Sequence, residues 1–413
     1  VEKPGPGGRG PKPPGAGRIL ECAMVYLDHA ATTEVRPEVI ADVAAQLGAL
    51  GNPSSLHAHG RSARRVVEES REHIADAVGA TPHEVVFTAG GTESNNIAIK
   101  GLYWARHAED PARTRILIGA VEHHAALDPA RWMADHQGAL CEELPVDARG
   151  RVEPDVLRAA IERDPASVAL VSVMWANNEI GTLQPVRELA AVAAEYGVPF
   201  HTDAVQAIGV EEVDFAASGV GALTLSGHKL GGPVGTGALV VARGLAPTPV
   251  LHGGGQERDI RSGTLSAPLT RGLATAVRLA VEGREKHVAH LKELRDELED
   301  RVRRVVPDVV VNGDLDRRLP GISHLSFPGC EGDALLMLLD ARGVSCSTGS
   351  ACSAGVAQPS HVLLATGAAP ETALSSLRLS LGRTSTREDI DRLVEEIGPA
   401  VERARAAMAK RRR

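Results

Sequence analysis

From Arg36 to about residue 270, short apolar runs alternate with amphipathic helical stretches, and this alternation constrains the fold more than any other feature. Val39, Ile40, Val43, Leu47 and Leu50 recur at helical spacing, and Val66, Val67, Ile74 and Val78 form a second such face. Strand-like runs stand at Val85-Val86-Phe87, Ile116-Leu117-Ile118, Val168 to Met174, Val198-Pro199-Phe200, Ala222 to Leu225 and Gly237 to Val241. Strands separated by a helix do not pair as hairpins. They run alongside one another in a mostly parallel sheet, with the connecting helices on both faces.

Past about residue 270 the texture changes. A long charged helical stretch runs from Ala274 to Val302, followed by short strands at Val309-Val310-Val311 and Leu325-Ser326-Phe327. The last helix is expected to open at a capping box, Ser385 with Glu388, and to carry Ile390, Leu393, Val394, Ile397 and Val401 on one face. This is the pattern of a smaller α+β domain, and 413 residues accommodate both. Residues 1–23 are dense in Gly, Pro and basic side chains, with too little apolar surface to offset the entropy of ordering. They read as a disordered extension without the apolar stretch of a secretory signal, and Met24, just before the first patterned segment, reads as the start of the functional chain.

Composition narrows the functional classes. With 45 Lys+Arg against 53 Asp+Glu the net charge is −8, and aromatic residues are only 2%. The chain has neither a basic field for a phosphate backbone nor many platforms for bases, so direct nucleic-acid binding is not expected. No long uncharged apolar run suits a membrane span. The five cysteines (Cys22, Cys141, Cys330, Cys346 and Cys352) contain no C-x-x-C and fit neither a disulfide framework nor a zinc ribbon. They point to a reducing compartment, the cytoplasm.

In an open α/β sheet, ligands collect beyond the carboxyl ends of the strands. The residues that follow the predicted strands are Gly90-Gly91-Thr92-Glu93, Glu122-His123-His124, Trp175-Ala176-Asn177-Asn178-Glu179, Thr202-Asp203-Ala204-Val205-Gln206 and Ser226-Gly227-His228-Lys229. Five polar clusters thus converge on one edge. The Gly90-Gly91-Thr92 turn opens a helix, Glu93 to Lys100, whose free N–H groups suit a phosphate; Ser226 and His228 add small polar donors. Asp203 and Lys229, at the ends of neighbouring strands, are the pair that pyridoxal phosphate requires: an amine for the Schiff base and a carboxylate for the pyridine nitrogen. His123 suits ring stacking and proton movement, whereas His123-His124 as metal ligands fits poorly, and no metal is expected. Each feature also has a plainer reading: an ordinary strand-to-helix turn, a buried salt bridge, a structural histidine.

Two further features lie in the second domain. The run Cys346-Ser347-Thr348-Gly349-Ser350-Ala351-Cys352-Ser353-Ala354-Gly355 has little propensity for helix or strand and predicts a mobile loop with Cys352 at its middle, while Cys346 is expected to be packed. Arg378 alternates with Leu377, Leu379 and Leu381 in a strand, where it either grips a carboxylate in an interdomain cleft or lies at the surface.

Together these motifs resemble the cysteine desulfurases of pyridoxal-phosphate fold type I, on the branch serving iron–sulfur cluster assembly. The resemblance spans roughly Tyr26 to Ile397 and includes Tyr26-Leu27-Asp28-His29-Ala30-Ala31-Thr32-Thr33, Gly51-Asn52-Pro53-Ser54-Ser55, Gly91-Thr92-Glu93-Ser94-Asn95-Asn96 and Asn177-Asn178-Glu179-Ile180-Gly181. It continues through His201-Thr202-Asp203-Ala204-Val205-Gln206, Ser226-Gly227-His228-Lys229, Arg261-Ser262-Gly263-Thr264 and Gly349-Ser350-Ala351-Cys352. It implies a large cofactor-binding α/β domain at 36–275 and a small α+β domain from 24–35 and 276–413. It implies that Lys229 forms the Schiff base, Asp203 partners the ring nitrogen and His123 stacks on the ring. Gly91, Thr92, Ser226 and His228 would hold the phosphate, joined by Thr264 of a second subunit in a homodimer. Asn177 and Gln206 would lie near the ring substituents, and Asn52 with Arg378 would hold the substrate carboxylate. Cys352 would take sulfur from L-cysteine as a persulfide, releasing L-alanine, and pass it to an acceptor such as an iron–sulfur scaffold or a tRNA thiolation enzyme. An aminotransferase or selenocysteine lyase of the same fold, or a non-catalytic sulfur-assembly scaffold, are the alternatives. Val234 and Asp259 depart from the family pattern, which often has a basic residue and a glycine there.

Overall fold

In the computed structural model, which describes residues 24–349 and 358–411, the apolar runs of the first part of the chain become one seven-stranded sheet. In chain order the strands are β1 (Val25–Tyr26), β2 (Val85–Thr88), β3 (Arg115–Gly119), β4 (Leu140–Leu144), β5 (Val168–Ser172), β6 (Phe200–Asp203), β7 (Ala222–Ser226) and β8 (Gly237–Val241). All but β1 join that sheet, in the order β2-β8-β7-β6-β5-β3-β4. Strands β3 to β7 pair in parallel, and only β8 runs against the rest. Because β2 is antiparallel to β8, it recovers the common direction. Its carboxyl end therefore opens on the same edge as those of β3, β5, β6 and β7, which is what gathers the site.

Most of these strands are buried along their whole length, as expected of a sheet with helices on both faces. One apolar core holds Val39, Val67 and Ile74 with Leu117, Phe200 and Leu223; another holds Ile97, Leu102 and Tyr103 with Ile116 and Leu127. The edge strand β4 was not among the predicted strands, because its sequence, Leu-Cys-Glu-Glu-Leu, carries the charge that exposed edges carry. Arg115 on β3 pairs with Glu142 at 2.7 Å, and Arg131 with Glu143 at 2.6 Å.

The second part of the chain builds a smaller antiparallel sheet from β9 (Val310–Val311), β10 (Ile322–Ser326) and β12 (Ser376–Ser380), in the order β12-β10-β9. β11 (Val344–Ser345) pairs in parallel with β1, bringing the chain's beginning to this side of the molecule. Helices Arg284–Val305 and Arg387–Arg411 contribute Leu291, Leu298, Ile390, Leu393 and Ile397 to a separate core around Leu325, Leu377 and Leu379.

Several boundaries differ from the expectation. Pro199 has no N–H to give the ladder, so β6 begins at Phe200 rather than Val198. The helix expected from Glu93 to Lys100 starts at Gly91 and becomes a π-helical turn at Ile97–Gly101. The charged stretch is two helices, Ala267–Glu282 and Arg284–Val305, that meet at Gly283. The strand expected at Leu325-Ser326-Phe327 lies at Ile322–Ser326. The last helix is capped one residue later than predicted: Thr386 N–H donates to Asp389 Oδ2 at 2.8 Å and Asp389 N–H to Thr386 Oγ1 at 3.4 Å. The Ser385 hydroxyl is already occupied, accepting from Gly382 N–H at 2.9 Å. Asp259 has φ +58°, following Arg258 at +52°; this left-handed backbone explains why glycine suits that position.

Candidate active site

A cavity of about 440 Å³ opens at the carboxyl edge of the large sheet. Gly91, Thr92, His123, Asp203, Gln206, Ser226, His228, Lys229 and Arg378 all line it, so most of the residues singled out in the sequence meet in one space.

Each side chain is positioned by its element. Beyond β2, Gly90 has φ +145°, a conformation that swings the chain into helix Gly91–Asn96, and among the described residues no side chain caps that helix start. Thr88 and Ser94 hydroxyls bond at 2.8 Å across the turn. One helical turn along, Asn95 Nδ2 donates to Asp203 Oδ2 at 2.7 Å, and Val205 N–H donates to Asp203 Oδ1 at 2.9 Å. Both oxygens of the carboxylate at the end of β6 are thereby fixed. Past β3, His123 caps helix His124–Gln137, accepting from Ala125 N–H on Nδ1 at 3.0 Å. That bond assigns the proton of the neutral ring to Nε2. Burial lowers the His123 pKa, against the nearby Asp203 charge, so the neutral ring is the ordinary form at neutrality.

Lys229 follows β7 in a single 3₁₀ turn, Gly227–Lys229. Its Nζ donates to the Ala31 carbonyl at 2.7 Å and also to the Ala30 carbonyl. Burial, reinforced by Arg378, lowers its pKa to about 8 despite the opposing pull of Asp28 and Asp203. His228 is lowered to about 4 by burial and by Lys229, and its Nδ1 lies 3.3 Å from Thr32 Oγ1. Gln206 Nε2 donates to the Ala30 carbonyl at 2.9 Å. The wall from the small sheet carries Arg378 of β12, which bonds Asp28 at 2.7 Å and the Asn178 carbonyl at 2.9 Å.

Three residues singled out in the sequence lie elsewhere in the single chain. Asn177 is fully buried and outside the cavity lining: its Nδ2 donates to the Val121 carbonyl and its Oδ1 accepts from Glu179 and Ile180 N–H, building the turn that presents Asn178. Asn52 is exposed and accepts from Ser54 N–H at 2.9 Å. Thr264 lines a different cavity with Arg261. Cys352 lies outside the described residues. The described cysteines are absent from the cavity lining, and burial pushes their thiols up, Cys141 to about 11 and Cys346 to about 12, with Cys330 also raised.

The sequence reading missed Asn95, Asn178 and Asp28 as partners of site residues. All three stand in the quoted motifs, and a polar residue one helical turn beyond the phosphate-suited glycine was the available signal for Asn95. No local signal connects Asp28 to Arg378, 350 residues away.

The family model for aminotransferase class-V matches residues 25–393. The chain is 55% identical to the IscS-like cysteine desulfurase of Mycobacterium tuberculosis, covering 93% of this chain and 98% of that one. This chain belongs to the cysteine desulfurases of the class-V aminotransferase family. Another desulfurase, the cysteine desulfurase IscS of Dictyoglomus turgidum, is 43% identical over 92% of this chain and 95% of its own. Among solved structures, a NifS-like protein superposes with a TM-score of 0.84 at 31% identity, covering 92% of this chain and 99% of that one. These desulfurases are pyridoxal-phosphate enzymes of fold type I, and the seven-stranded sheet is that fold's. Among the described residues no helix is long and apolar enough to cross a membrane.

Proposed function

We propose that the protein converts L-cysteine to L-alanine with pyridoxal phosphate, holding the sulfur as a persulfide on Cys352 before passing it to an acceptor in iron–sulfur cluster or thio-cofactor synthesis. The observation that carries this reading is the convergence of Lys229 and Asp203 on one cavity whose floor is the uncapped helix start at Gly91-Thr92. The cavity fits the cofactor chemically. Both Asp203 oxygens are held by hydrogen bonds, and burial lowers the Lys229 pKa to about 8, so its amine is more readily neutral and nucleophilic than that of a free lysine. Gly91, Thr92, Ser226 and His228 would hold the phosphate, joined by Thr264 of a partner subunit.

When bound, the cofactor supplies an electron sink for the charge that develops at the substrate's α-carbon. Arg378 binds the substrate carboxylate and fixes the amino acid beside Lys229. The neutral Lys229 amine takes the α-proton, and His123, with its proton on Nε2, serves proton transfer at the substrate's sulfur and amine. The Cys352 thiolate attacks the substrate sulfur; a sulfur–sulfur bond forms, the carbon–sulfur bond breaks, and the remaining three-carbon fragment is protonated to alanine. The raised pKa values of Cys141, Cys330 and Cys346 support a nucleophile other than these three.

The working unit is a homodimer in the cytoplasm, divided into a large domain at 36–275 and a small domain from 24–35 and 276–413. Support for the dimer comes from one face of the chain. Leu47, Leu50 and Leu56 are exposed around Asn52, and Leu50 and Gly51 share a small cavity with Leu265 and Ser266 beside Thr264.

The test is to supply the holoenzyme with L-cysteine and measure alanine, sulfide and intact mass. Equal release of alanine and sulfide under reductant, and, in a parallel sample without reductant, a gain of about 32 Da on Cys352, are the expected results. Full activity in Cys352→Ala would favour an aminotransferase or selenocysteine lyase instead.

A further inference from the structure

Arg378 is buried, with 6% of its side chain exposed, yet its guanidinium is incompletely used. Nη2 donates to Asp28 Oδ1 and Nη1 to the Asn178 carbonyl, while the buried Nε has no partner among the described residues. Nε and Nη2 are the two donors on one edge of the guanidinium plane, the edge that a carboxylate takes with two parallel hydrogen bonds. One donor of that edge is spent on a side chain of the protein, and the other is buried and unpaired among the described residues. Arg378 lines the cavity, and an unpaired buried donor on a cavity-lining side chain points to a missing acceptor.

Asp28 is suited to be displaced. It gives Arg378 a single oxygen, and 21% of its side chain is exposed. Its backbone is held independently, by Ala31 N–H on its carbonyl at 3.0 Å and by a bridge to Ser380, so losing the ion pair leaves the segment in place. The same segment offers the Ala30 and Ala31 carbonyls to Lys229.

We propose that Asp28 is a resident counter-ion which the carboxylate of the incoming amino acid displaces from Arg378 Nη2, so that Asp28 sets the site's affinity and selectivity for carboxylates. The incoming group takes Nε and Nη2 together, the unpaired donor gains its acceptor, and Asp28 turns to the solvent it already touches. Its charge remains near the cavity and disfavours amino acids with a second anionic group. This deepens the desulfurase reading and rests on it for the identity of the amino acid, although the exchange itself needs no turnover.

The test compares wild-type holoenzyme with Asp28→Asn, which keeps a hydrogen-bond acceptor for Nη2 but no charge. The probes are 3-mercaptopropionate, which has the carboxylate and thiol without the amine, and cysteamine, which lacks the carboxylate. The variant is expected to bind 3-mercaptopropionate on the order of three- to tenfold tighter by calorimetry, the range of a partly screened ion pair. KM for L-cysteine should fall by a similar factor with kcat nearly unchanged, and cysteamine affinity should stay constant. Unchanged or weaker 3-mercaptopropionate binding, with KM raised, overturns the proposal and leaves Asp28 as a prop for Arg378. Asp28→Ser provides the same comparison if the Asn variant does not fold. Tighter carboxylate binding in a protein that makes no alanine would uphold the exchange while rejecting the desulfurase reading.

Discussion

The two sheets supply the cavity in different ways. Groups from the large sheet stand at strand ends and are held mainly by backbone groups: Asp203 by Val205 N–H with help from Asn95, His123 by Ala125 N–H, and Lys229 by the Ala30 and Ala31 carbonyls of the segment that also carries Asp28. The small sheet instead contributes Arg378 from the middle of β12, opposite His324 of β10 in the register, and holds it by a carboxylate and a carbonyl from distant segments. On the proposed reading, the strand ends form the cofactor platform, whereas the mid-strand arginine, with one donor unpaired among the described residues, forms an exchangeable grip. The division matches what the chemistry asks of each half, since the cofactor stays and the substrate comes and goes.

The largest expected effect breaks the platform. Asp203→Asn keeps the size of the group and removes the charge, so turnover should fall about 100-fold or more, the scale for loss of a preorganised charge. Alanine release at saturating L-cysteine measures it, and a near-normal kcat would show that the ring nitrogen is served otherwise. The grip should respond differently. Arg378→Lys loses the two-donor fork, and KM for L-cysteine should rise on the order of tenfold or more while kcat changes less. A fall in kcat with unchanged KM would place Arg378 in the platform and erase the contrast.

A smaller effect separates the sheets by stability. His201 on β6 and His324 on β10 are both buried, and burial lowers each pKa to about 3. His201 satisfies both ring nitrogens, with the Ser172 hydroxyl at 2.8 Å and the Thr224 hydroxyl at 3.1 Å. His324 bonds Asn312 at 3.0 Å, and its Nε2 is unpaired among the described residues. His201→Leu strands two buried hydroxyls and should cost about 2–4 kcal/mol in denaturant melts at pH 7, His324→Leu about 1 kcal/mol. Equal costs would contradict the contrast. The unfolded state binds these protons near pH 6.5, the folded state only near 3. Stability is therefore whole above about 6.5 and falls as pH drops through that window, and either variant should flatten the fall.

The same contrast explains what the sequence disclosed. Strand ends follow directly from where an apolar run stops, so the clusters at Gly91, His123, Asp203 and Lys229 were legible without any knowledge of strand order. Arg378 was legible as a polar residue alternating with leucines, but its partner was not, because only the pairing of β1 with β11 and of the following segment with Ser380 brings Asp28 across. Asn177 and Asn178 are adjacent, and the choice of which one faces the cavity was made by the hydrogen bonds of their turn. The last helix shows the same limit locally: Ser385 and Thr386 are both competent caps, and the Gly382 amide decides between them. Edge strand β4 was hidden by its charges, which belong to the edge rather than to the interior.

We propose Lys229 as the amine at which pyridoxal phosphate is held, with the Asp203 carboxylate lining the same cavity. Borohydride reduction of the holoenzyme followed by peptide mass mapping tests it most directly. A single pyridoxyl group is expected on the peptide containing Lys229, with its loss in Lys229→Ala. A label on Lys100, Lys286 or Lys292 instead, or the absence of any label from a protein that still releases alanine from L-cysteine, would contradict it.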